Sequence, residues 1–185
     1  MARVLVPLAT GFEEIETATL VDVLRRADLT VVMAGLEGSQ GVKGSRGMVF
    51  MPDHALDEVS GPWDLITLPG GGGGAERLAA DGRILQLLRT QMREGRLVAA
   101  ICAAPLALDK AGILTEGAYT CYPGHEEKFR TRGRQPHTVL DAGLVITSQG
   151  PATAMEFALY LVGRLRGQDV QHKVAHQLLW RPPSL

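Results

Sequence analysis

Short apolar runs alternate with segments of helical apolar spacing along the first part of the chain. Residues 3–8 (RVLVPL) form a β-branched run, and from Glu14 onward apolar side chains recur at the spacing of one helix face. This pattern predicts a strand, a tight turn at residues 9–11 and then a helix. A second buried strand is predicted over residues 29–36, and the glycine-broken segment 41–53 is predicted to form a small hairpin.

The same alternation continues to the end of the chain, with glycine and proline marking the breaks between elements. The predicted elements are a strand over 64–70 that ends in glycines, a helix over 75–93 broken near 80–82, a strand over 97–101, a helix over 103–111, an extended segment over 118–123, a hairpin over 137–149 that turns at 141–143, a helix opened by Gly150-Pro151 and a last helix over 170–179.

Strands that alternate with helices and are apolar on both faces predict a mostly parallel sheet between two helical layers. The length of 185 residues fits a single domain spanning residues 1–185. In such folds the chemistry gathers where the parallel strands end. Three segments meet that condition, namely TGFEEIE (10–16), LPGGGGGAER (68–77) and ICAAP (101–105).

Composition and charge narrow the classes of partner. A formal net charge of −1 gives no electrostatic reason to expect nucleic acid or an anionic membrane as a partner. The two cysteines, Cys102 and Cys121, are too few and too far apart for a disulfide scaffold or a zinc knuckle, which favours a reducing, cytoplasmic location. The first residues do not resemble a signal peptide, and the apolar runs fall short of the ~20 residues of a membrane-spanning helix.

Cys102 stands where a buried strand is predicted to end and a helix to begin. At such a junction a side chain is exposed above the sheet, as in the nucleophile elbow. The free N–H groups of the following helix are expected to lower the pKa of the thiol and to favour the thiolate. The alternative is an inert core cysteine, since free cysteines are among the most buried residues.

The glycine run 70–74 allows more than one interpretation. With Ala75 it formally satisfies the G-x-G-x-x-A dinucleotide fingerprint, but the next strand ends in Cys102 instead of a ribose-binding carboxylate. No Gly-Lys-Ser/Thr follows, so a phosphate-binding P-loop is excluded. A tight turn remains, or a set of backbone donors in which the amides of Gly71 and Ala103 face an oxyanion.

Three carboxylates, Glu13, Glu14 and Glu16, cluster at the start of the first helix. The helix dipole favours acidic residues at a helix N-terminus, which is enough to explain any one of these glutamates. Glu13 and Glu16 are three positions apart and share a face, whereas Glu14 is expected to point elsewhere. A glutamate aimed at Cys102 is expected to have a raised pKa through desolvation, and in its protonated form it can donate a hydrogen bond to the thiolate.

Five motifs together resemble one known group of proteins. They are FEEIET (12–17), VDVLRRA (21–27), LPGG (68–71), AAICAAP (99–105) and TSQGPATAMEFAL (147–159). In order and spacing they resemble the ThiJ/PfpI superfamily, and most of all its Parkinsonism-associated deglycase branch with the bacterial YajL-type relatives. The resemblance covers essentially the whole chain.

This resemblance implies a flavodoxin-like three-layer α/β/α sandwich, a class I glutamine amidotransferase-like domain that forms a homodimer. It implies that Glu16 is hydrogen-bonded to the sulfur of Cys102 and that Gly70 and Gly71 supply the oxyanion side. Arg46 matches a family arginine that approaches the site across the dimer interface.

The activity implied by the resemblance is that of a cofactor-independent enzyme acting on methylglyoxal, glyoxal and early glycation adducts of proteins or nucleotides, with protection against oxidative stress and chaperone behaviour. The expected reaction is attack of the Cys102 thiolate on the aldehyde, followed by proton transfer through Glu16 and release of a 2-hydroxy acid. The alternative is a redox sensor or holdase without turnover that works through oxidation of Cys102.

Two departures from the wider family change this expectation. Protease-like relatives place histidine directly after the nucleophile, where this chain has Ala103, so a Cys-His peptidase would lack its base. Animal members of the deglycase branch carry a histidine near the thiol at the position of Tyr122, although YajL-type members have an aromatic residue there. Glu16 and the helix N-terminus are therefore expected to contribute more to the activation of the Cys102 thiol.

The remaining candidate residues have plainer interpretations. His125 would need a loop rearrangement to approach the thiol and is predicted to be a helix-start residue. Cys121 is predicted to face away from Tyr122 and to pack in the interior, by strand alternation. His172 and His176 suit a solvent face better than a metal site. The arginine-rich segment 128–134 is predicted to be a solvated loop without a specific nucleic-acid contact.

Overall fold

The computed structural model describes residues 1–181 and contains nine strands and six α-helices within them. The strands are β1 (Arg3–Leu8), β2 (Thr30–Gly35), β3 (Val42–Lys43), β4 (Val49–Phe50), β5 (His54–Ala55), β6 (Leu65–Leu68), β7 (Leu97–Ile101), β8 (Val139–Asp141) and β9 (Val145–Ser148). The helices are α1 (Glu14–Arg26), α2 (Gly72–Ala80), α3 (Gly82–Arg93), α4 (Pro105–Ala111), α5 (Ala154–Arg166) and α6 (Gln168–Gln177).

Seven of these strands form one sheet, in the order β5-β2-β1-β6-β7-β9-β8. Its pairings are parallel except for the β8–β9 hairpin. Helices α1, α5 and α6 pack together on one side of the fold, and α2, α3 and α4 pack together on the other. The predicted three-layer, mostly parallel α/β domain is confirmed.

The central strands are buried on both faces, as the continuous apolar runs predicted. Leu5 in β1, Leu65 in β6 and Val98 in β7 have no accessible surface. A strand that buries both faces between helices is the normal core element of a parallel sheet. Because these strands are parallel, the carboxyl ends of β1, β6 and β7 lie at the same end of the sheet.

The predicted boundaries of these elements agree with the structure to within about three residues, and two of the shifted helix starts lie beside Cys102. Helix α2 begins inside the glycine run, at Gly72, and not at Ala75. Helix α4 begins at Pro105 and not at Ala103, because residues 102–104 form the turn and proline occupies the first helical position. The extended segment at 118–123 joins no strand of the sheet.

The predicted small hairpin is present as the antiparallel pair β3–β4, separate from the main sheet. The chain then returns to the sheet edge through β5, which sequence analysis did not predict. None of the helices within residues 1–181 is both long and apolar enough to cross a membrane.

Candidate active site

Cys102 occupies a sharp turn directly after β7. Its φ angle is +64°, a left-handed conformation that a side chain rarely adopts. Two hydrogen bonds to neighbouring segments hold it there: the Cys102 N–H donates to the Ser148 carbonyl at 3.0 Å, and the Tyr122 N–H donates to the Cys102 carbonyl at 2.9 Å. The predicted elbow is therefore present, and hydrogen bonds to the neighbouring backbone hold Cys102 in its strained conformation.

Glu16 lies beside this turn, although it comes from α1. Its carboxyl has no accessible surface, accepts a hydrogen bond from the Gly70 N–H at 2.7 Å through Oε2 and lies against the Cys102 thiol. Burial raises the pKa of Glu16 to about 7, against opposing hydrogen bonds from Gly70 and Cys102. The expected contact between the glutamate and the thiol, and the raised carboxyl pKa, are both found.

The pKa of Cys102 does not follow the prediction. Burial and the neighbouring Glu16 raise the pKa of the thiol to about 12, whereas hydrogen bonds from the Gly71 and Ala103 backbone lower it. The expected lowering by the following helix was therefore wrong. The helix begins further along the chain, at Pro105, and the effect of local N–H groups is smaller than that of burial next to a carboxyl.

The glycines just before α2 and in its first turn allow two segments of the chain to approach closely. A β-carbon on Gly70 would lie 2.6 Å from Cys102 Cβ and 2.7 Å from Glu16 Oε2, and one on Gly74 would lie 2.9 Å from the Phe12 nitrogen. Gly71 has a φ angle of +88° and directs its N–H to the Cys102 sulfur. The run thus packs against the residues before α1 and supplies a backbone donor to the thiol.

The other two glutamates at the start of α1 have separate structural contacts. Glu13 is the N-cap, and its Oε2 accepts from the Glu16 N–H at 2.7 Å. Glu14 is buried and turns to the hairpin, where it accepts from the Arg46 N–H at 2.5 Å and from the Ser45 hydroxyl at 3.1 Å. Burial acts to raise the pKa of Glu14, but these hydrogen bonds leave the pKa lowered.

A cleft of about 380 Å³ opens above Cys102. Its lining includes Tyr122 and Arg46. The resemblance implied an arginine that approaches across a dimer interface, whereas Arg46 here lines the cleft of its own chain. The remaining lining residues are Glu13, Ser45, Gly71, Gly72, His125 and Pro151. Cys102 is therefore open to a small molecule, although only 8% of its surface is accessible.

His125 starts a short helical segment, as predicted, and it also lines this cleft. No loop rearrangement is needed, because a short 3₁₀ turn over His125–Lys128 follows Gly124, which adopts a left-handed φ of +91°. The His125 ring meets the Tyr122 ring edge-on, with the two ring centroids 5.6 Å apart. A glycine directly before a histidine was the one local indication of this turn.

Cys121 is fully buried, with its sulfur 3.8 Å from Glu126 Oε2. Burial raises the pKa of its thiol to about 12. It does not line the Cys102 cleft, which agrees with the predicted packing role. His172 and His176 lie on α6, and residues 1–181 contain no group of three or more potential ligands arranged to hold a metal ion.

Comparison with known proteins gives one family over most of the chain. The family model described as DJ-1/PfpI family matches residues 2–164. The protein dj-1beta of Drosophila melanogaster is 42% identical over 178 residues, which cover 95% of each chain. The crystal structure of Drosophila melanogaster DJ-1beta superposes with a TM-score of 0.94 over 98% of this chain and 99% of that one.

Two further relatives bear on the chemistry. The Caenorhabditis elegans protein named glutathione-independent glyoxalase DJR-1.2 is 40% identical over 160 residues, or 85% of this chain and 84% of that protein. The structure described as Toxoplasma gondii DJ-1, oxidized, is 36% identical, has a TM-score of 0.93 and covers 98% of this chain and all of that one. The narrower assignment to YajL-type bacterial proteins stays a prediction.

Proposed function

The chain belongs to the DJ-1/PfpI family, and on this basis we propose that it is a cofactor-independent, cysteine-dependent glyoxalase. Its substrates would be methylglyoxal and glyoxal, its products lactate and glycolate, and early glycation adducts would be further substrates. The observation that carries the proposal is the Glu16 carboxyl, buried against the Cys102 thiol at the base of an open cleft. The glyoxalase name of the nematode relative supports the same reaction.

The reactive state of the pair is the first step of the proposal. Because Glu16 has a pKa of about 7 and Cys102 one of about 12, the pair carries one negative charge over the intervening pH range. Two backbone N–H groups, from Gly71 and Ala103, face the sulfur, whereas one, from Gly70, faces the carboxyl. In the proposed reactive tautomer the sulfur holds the charge and Glu16 holds the proton.

An unpartnered oxygen supports a protonated Glu16. Its Oε1 is buried and has no hydrogen-bond partner within residues 1–181. A buried charged oxygen without a partner is strongly disfavoured, and a proton on the carboxyl removes that charge. Protonated Glu16 is then a donor beside the sulfur, and ionised Glu16 is a base at the same place.

The chemistry follows from this pair. The Cys102 thiolate adds to the aldehyde carbon of R–CO–CHO, and Glu16 gives its proton to the new oxyanion, forming a hemithioacetal. Ionised Glu16 then removes the proton from the former aldehyde carbon and returns it to the adjacent carbon, while a proton passes between the two oxygens. The product is a 2-hydroxyacyl thioester on Cys102, which one water molecule hydrolyses to the 2-hydroxy acid.

The backbone donors act during the addition. As the sulfur forms its bond, negative charge moves to the substrate oxygen, which lies beside the same Gly71 and Ala103 N–H groups. One such donor is worth about 3 kcal/mol in related oxyanion sites. Arg46 lines the same cleft and would add a fixed positive charge beside a bound dicarbonyl.

The test is lactate formation from methylglyoxal without glutathione. Wild-type protein is expected to turn over, and Cys102→Ala to lose turnover completely. Cys121→Ser is the matched control, because the second thiol is buried away from the cleft, and it is expected to keep wild-type turnover. Lactate formation that persists in Cys102→Ala would refute the proposal.

The second candidate function is a redox sensor or holdase in which Cys102 is oxidised. It is favoured by the same singly charged pair, since thiol oxidation starts from the thiolate, and by the oxidized state named for the Toxoplasma relative. Mild peroxide followed by intact mass spectrometry separates the two functions. Rapid oxidation confined to Cys102, with no loss of methylglyoxal in the same preparation, would favour the sensor.

We propose in addition that the protein is a cytoplasmic homodimer. The β3–β4 hairpin and α1 present exposed apolar side chains, namely Met48, Val49, Met51 and Ile15, each with more than half of its surface accessible. Exposed apolar patches of this kind usually mark interaction surfaces. A second copy of the chain would cover this patch beside the hairpin turn that carries Arg46.

A further inference from the structure

The proposed reaction leaves one chemical requirement unassigned, and the inference below rests on that proposed function. Hydrolysis of the 2-hydroxyacyl thioester on Cys102 requires a base that takes a proton from water as the water oxygen attacks the acyl carbon. The base must lie in the cleft above the sulfur and must be reachable by water from the solvent.

Glu16 is poorly placed for this second step. Its side chain has no accessible surface, and its carboxyl is enclosed by Gly70 and Cys102. Water that enters through the cleft meets the acyl group first, because the acyl group sits on the sulfur between Glu16 and the opening. The buried carboxyl suits proton transfer within the bound substrate, not activation of an incoming water.

The cleft lining contains few other groups that accept a proton at neutral pH. Arg46 is permanently charged, and the hydroxyls of Ser45 and Tyr122 are donors under these conditions. Glu13 is an acceptor, but its carboxylate is engaged as the N-cap of α1. The imidazole of His125 remains.

His125 is held at the cleft by its surroundings. Its backbone N–H donates to the Tyr122 carbonyl at 3.0 Å, and its ring packs edge-on against the Tyr122 ring. Within residues 1–181 the ring nitrogens of His125 have no hydrogen-bond partner, so they are free to meet a water or a substrate. The ring is half-buried, which leaves a path from solvent.

The charges around His125 favour the neutral imidazole. Burial is the main cause and lowers the pKa of the ring, and Lys128 in the same turn lowers it further. Glu126 and Glu76 act in the opposite direction, but Glu76 is paired with Lys128 at 2.7 Å. Arg46, on the cleft wall, is a further positive charge. A neutral imidazole with an available nitrogen is the form that a general base requires.

We propose that His125 is the general base that activates the hydrolytic water. Its ring nitrogen takes one proton from water as the water oxygen bonds to the acyl carbon. The carbon–sulfur bond then breaks, and the electron pair returns to the Cys102 sulfur as thiolate. The 2-hydroxy acid loses one proton to solvent, and the imidazolium proton passes to the ionised Cys102–Glu16 pair, which restores the single negative charge of the pair and the neutral imidazole.

The experiment is rapid acid quenching with methylglyoxal, followed by intact mass spectrometry and steady-state lactate assays. In His125→Gln the first half of the reaction is expected to proceed, so one lactoyl group accumulates on Cys102 while turnover falls by about 100-fold. His125→Phe keeps an aromatic contact with Tyr122 and is expected to behave in the same way. In His125→Ala, added imidazole is expected to restore turnover, which a purely structural role does not predict.

The opposite results separate the inference from the proposed function. Unchanged turnover in His125→Gln, with no lactoyl adduct, would overturn the role of His125 and leave the glyoxalase proposal intact. Accumulation of the adduct in Glu13→Gln instead would assign the base to Glu13. Absence of lactate formation by the wild-type protein would remove the proposed function and this inference together.

Discussion

The α-carbon of Gly70 stands so close to Cys102 that the smallest side chain would not fit between them. A β-carbon built at Gly70 lies 2.6 Å from Cys102 Cβ, 2.7 Å from Glu16 Oε2 and 2.9 Å from the Ile101 carbonyl oxygen. Real β-carbons essentially never approach other atoms this closely. Gly70 therefore sets the distance between the nucleophile and its carboxyl.

The first prediction concerns Gly70→Ala. The added methyl group must displace the Cys102 turn or the Glu16 carboxyl, and all three neighbouring atoms are in buried residues that have little room to move. Overpacking of this kind destabilises a protein by about 1–3 kcal/mol. Urea unfolding at neutral pH measures the change, and loss of lactate formation is expected to accompany it.

Gly82→Ala is the matched control for this substitution. Gly82 opens α3, outside the cleft, and a β-carbon there meets no atom within 4 Å. Alanine is the better helix former, so this variant is expected to be as stable as the wild type or slightly more stable. Equal unfolding midpoints for the two alanine variants would contradict the steric role of Gly70.

The position of Cys102 could be predicted from sequence because it depends on local pattern. A continuous apolar run predicts a buried strand, and the residue at the break falls at the end of the sheet where the ends of β1 and β6 also lie. Helical spacing excludes Glu14 but leaves Glu13 and Glu16 on one face, and the choice of Glu16 came from the family resemblance. The position of Cys102 needs only the period of each element and the parallel order of the strands.

Two other features depend on tertiary contacts and could not be predicted. The sign of the Cys102 pKa shift results from burial and a nearby carboxyl outweighing backbone donors, and burial is a property of the whole fold. His125 enters the cleft because Gly124 turns the chain into a short 3₁₀ segment. The local sequence preference for glycine predicts that a turn occurs at Gly124, but it does not predict that the turn directs His125 into the cleft.

The second prediction is a dependence of stability on pH that originates at Glu16. Burial raises the pKa of this carboxyl from 4.5 to about 7 in the folded state, so the folded protein binds the proton more tightly than the unfolded chain does. Its contribution is fully present below pH 4.5 and is lost as the pH rises to about 7. The loss corresponds to roughly 3 kcal/mol.

Glu16→Gln removes this titration and keeps an oxygen for the Gly70 N–H. The variant is expected to match the wild type near pH 4.5 and to exceed it in unfolding free energy above pH 7. Urea unfolding across this range, with Asp22→Asn as an exposed control on the same helix, measures the difference. Parallel pH profiles for wild type and Glu16→Gln would show that the pKa of the Glu16 carboxyl is not raised in the folded protein.

The third prediction concerns the reactivity of the Cys102 thiol. The pair loses its first proton near the Glu16 pKa of about 7, so alkylation of wild-type Cys102 by iodoacetamide is expected to rise around that pH. In Glu16→Gln only the buried thiol can ionise, so the midpoint is expected to move upward. Cys121→Ser is used as background in both proteins, and identical midpoints would contradict the coupling.

The fourth prediction tests the contact between α1 and the hairpin. Glu14→Ala leaves the Arg46 N–H without its buried acceptor, which is expected to destabilise the protein by about 1–3 kcal/mol. Hydrogen exchange at the Arg46 amide is expected to accelerate relative to wild type. In Asp22→Asn, which removes an exposed ion pair, neither change is expected. Unchanged exchange at Arg46 in Glu14→Ala would show that the carboxylate does not hold this turn.

The last prediction concerns the exposed apolar side chains of the hairpin. Met48 and Met51 are 61% and 63% accessible and project from the segment whose turn is tied to Glu14. If a second copy covers them, a charge at either position is placed in an apolar interface without a partner, which is disfavoured by several kcal/mol. Met48→Glu and Met51→Glu are therefore expected to elute as monomers at micromolar concentration, while the wild type elutes as a dimer.

Light scattering coupled to size-exclusion chromatography gives the mass directly. Leu179→Glu is the control, because Leu179 is 85% accessible and lies beyond α6, so a charge there adds the same polarity outside the hairpin patch. A monomer in the hairpin variants and a dimer in Leu179→Glu place the interface on the hairpin. Because the Arg46 turn belongs to the same hairpin, a rise in KM for methylglyoxal is expected to accompany the loss of the dimer. Dimers that persist in both methionine variants would place the interface elsewhere.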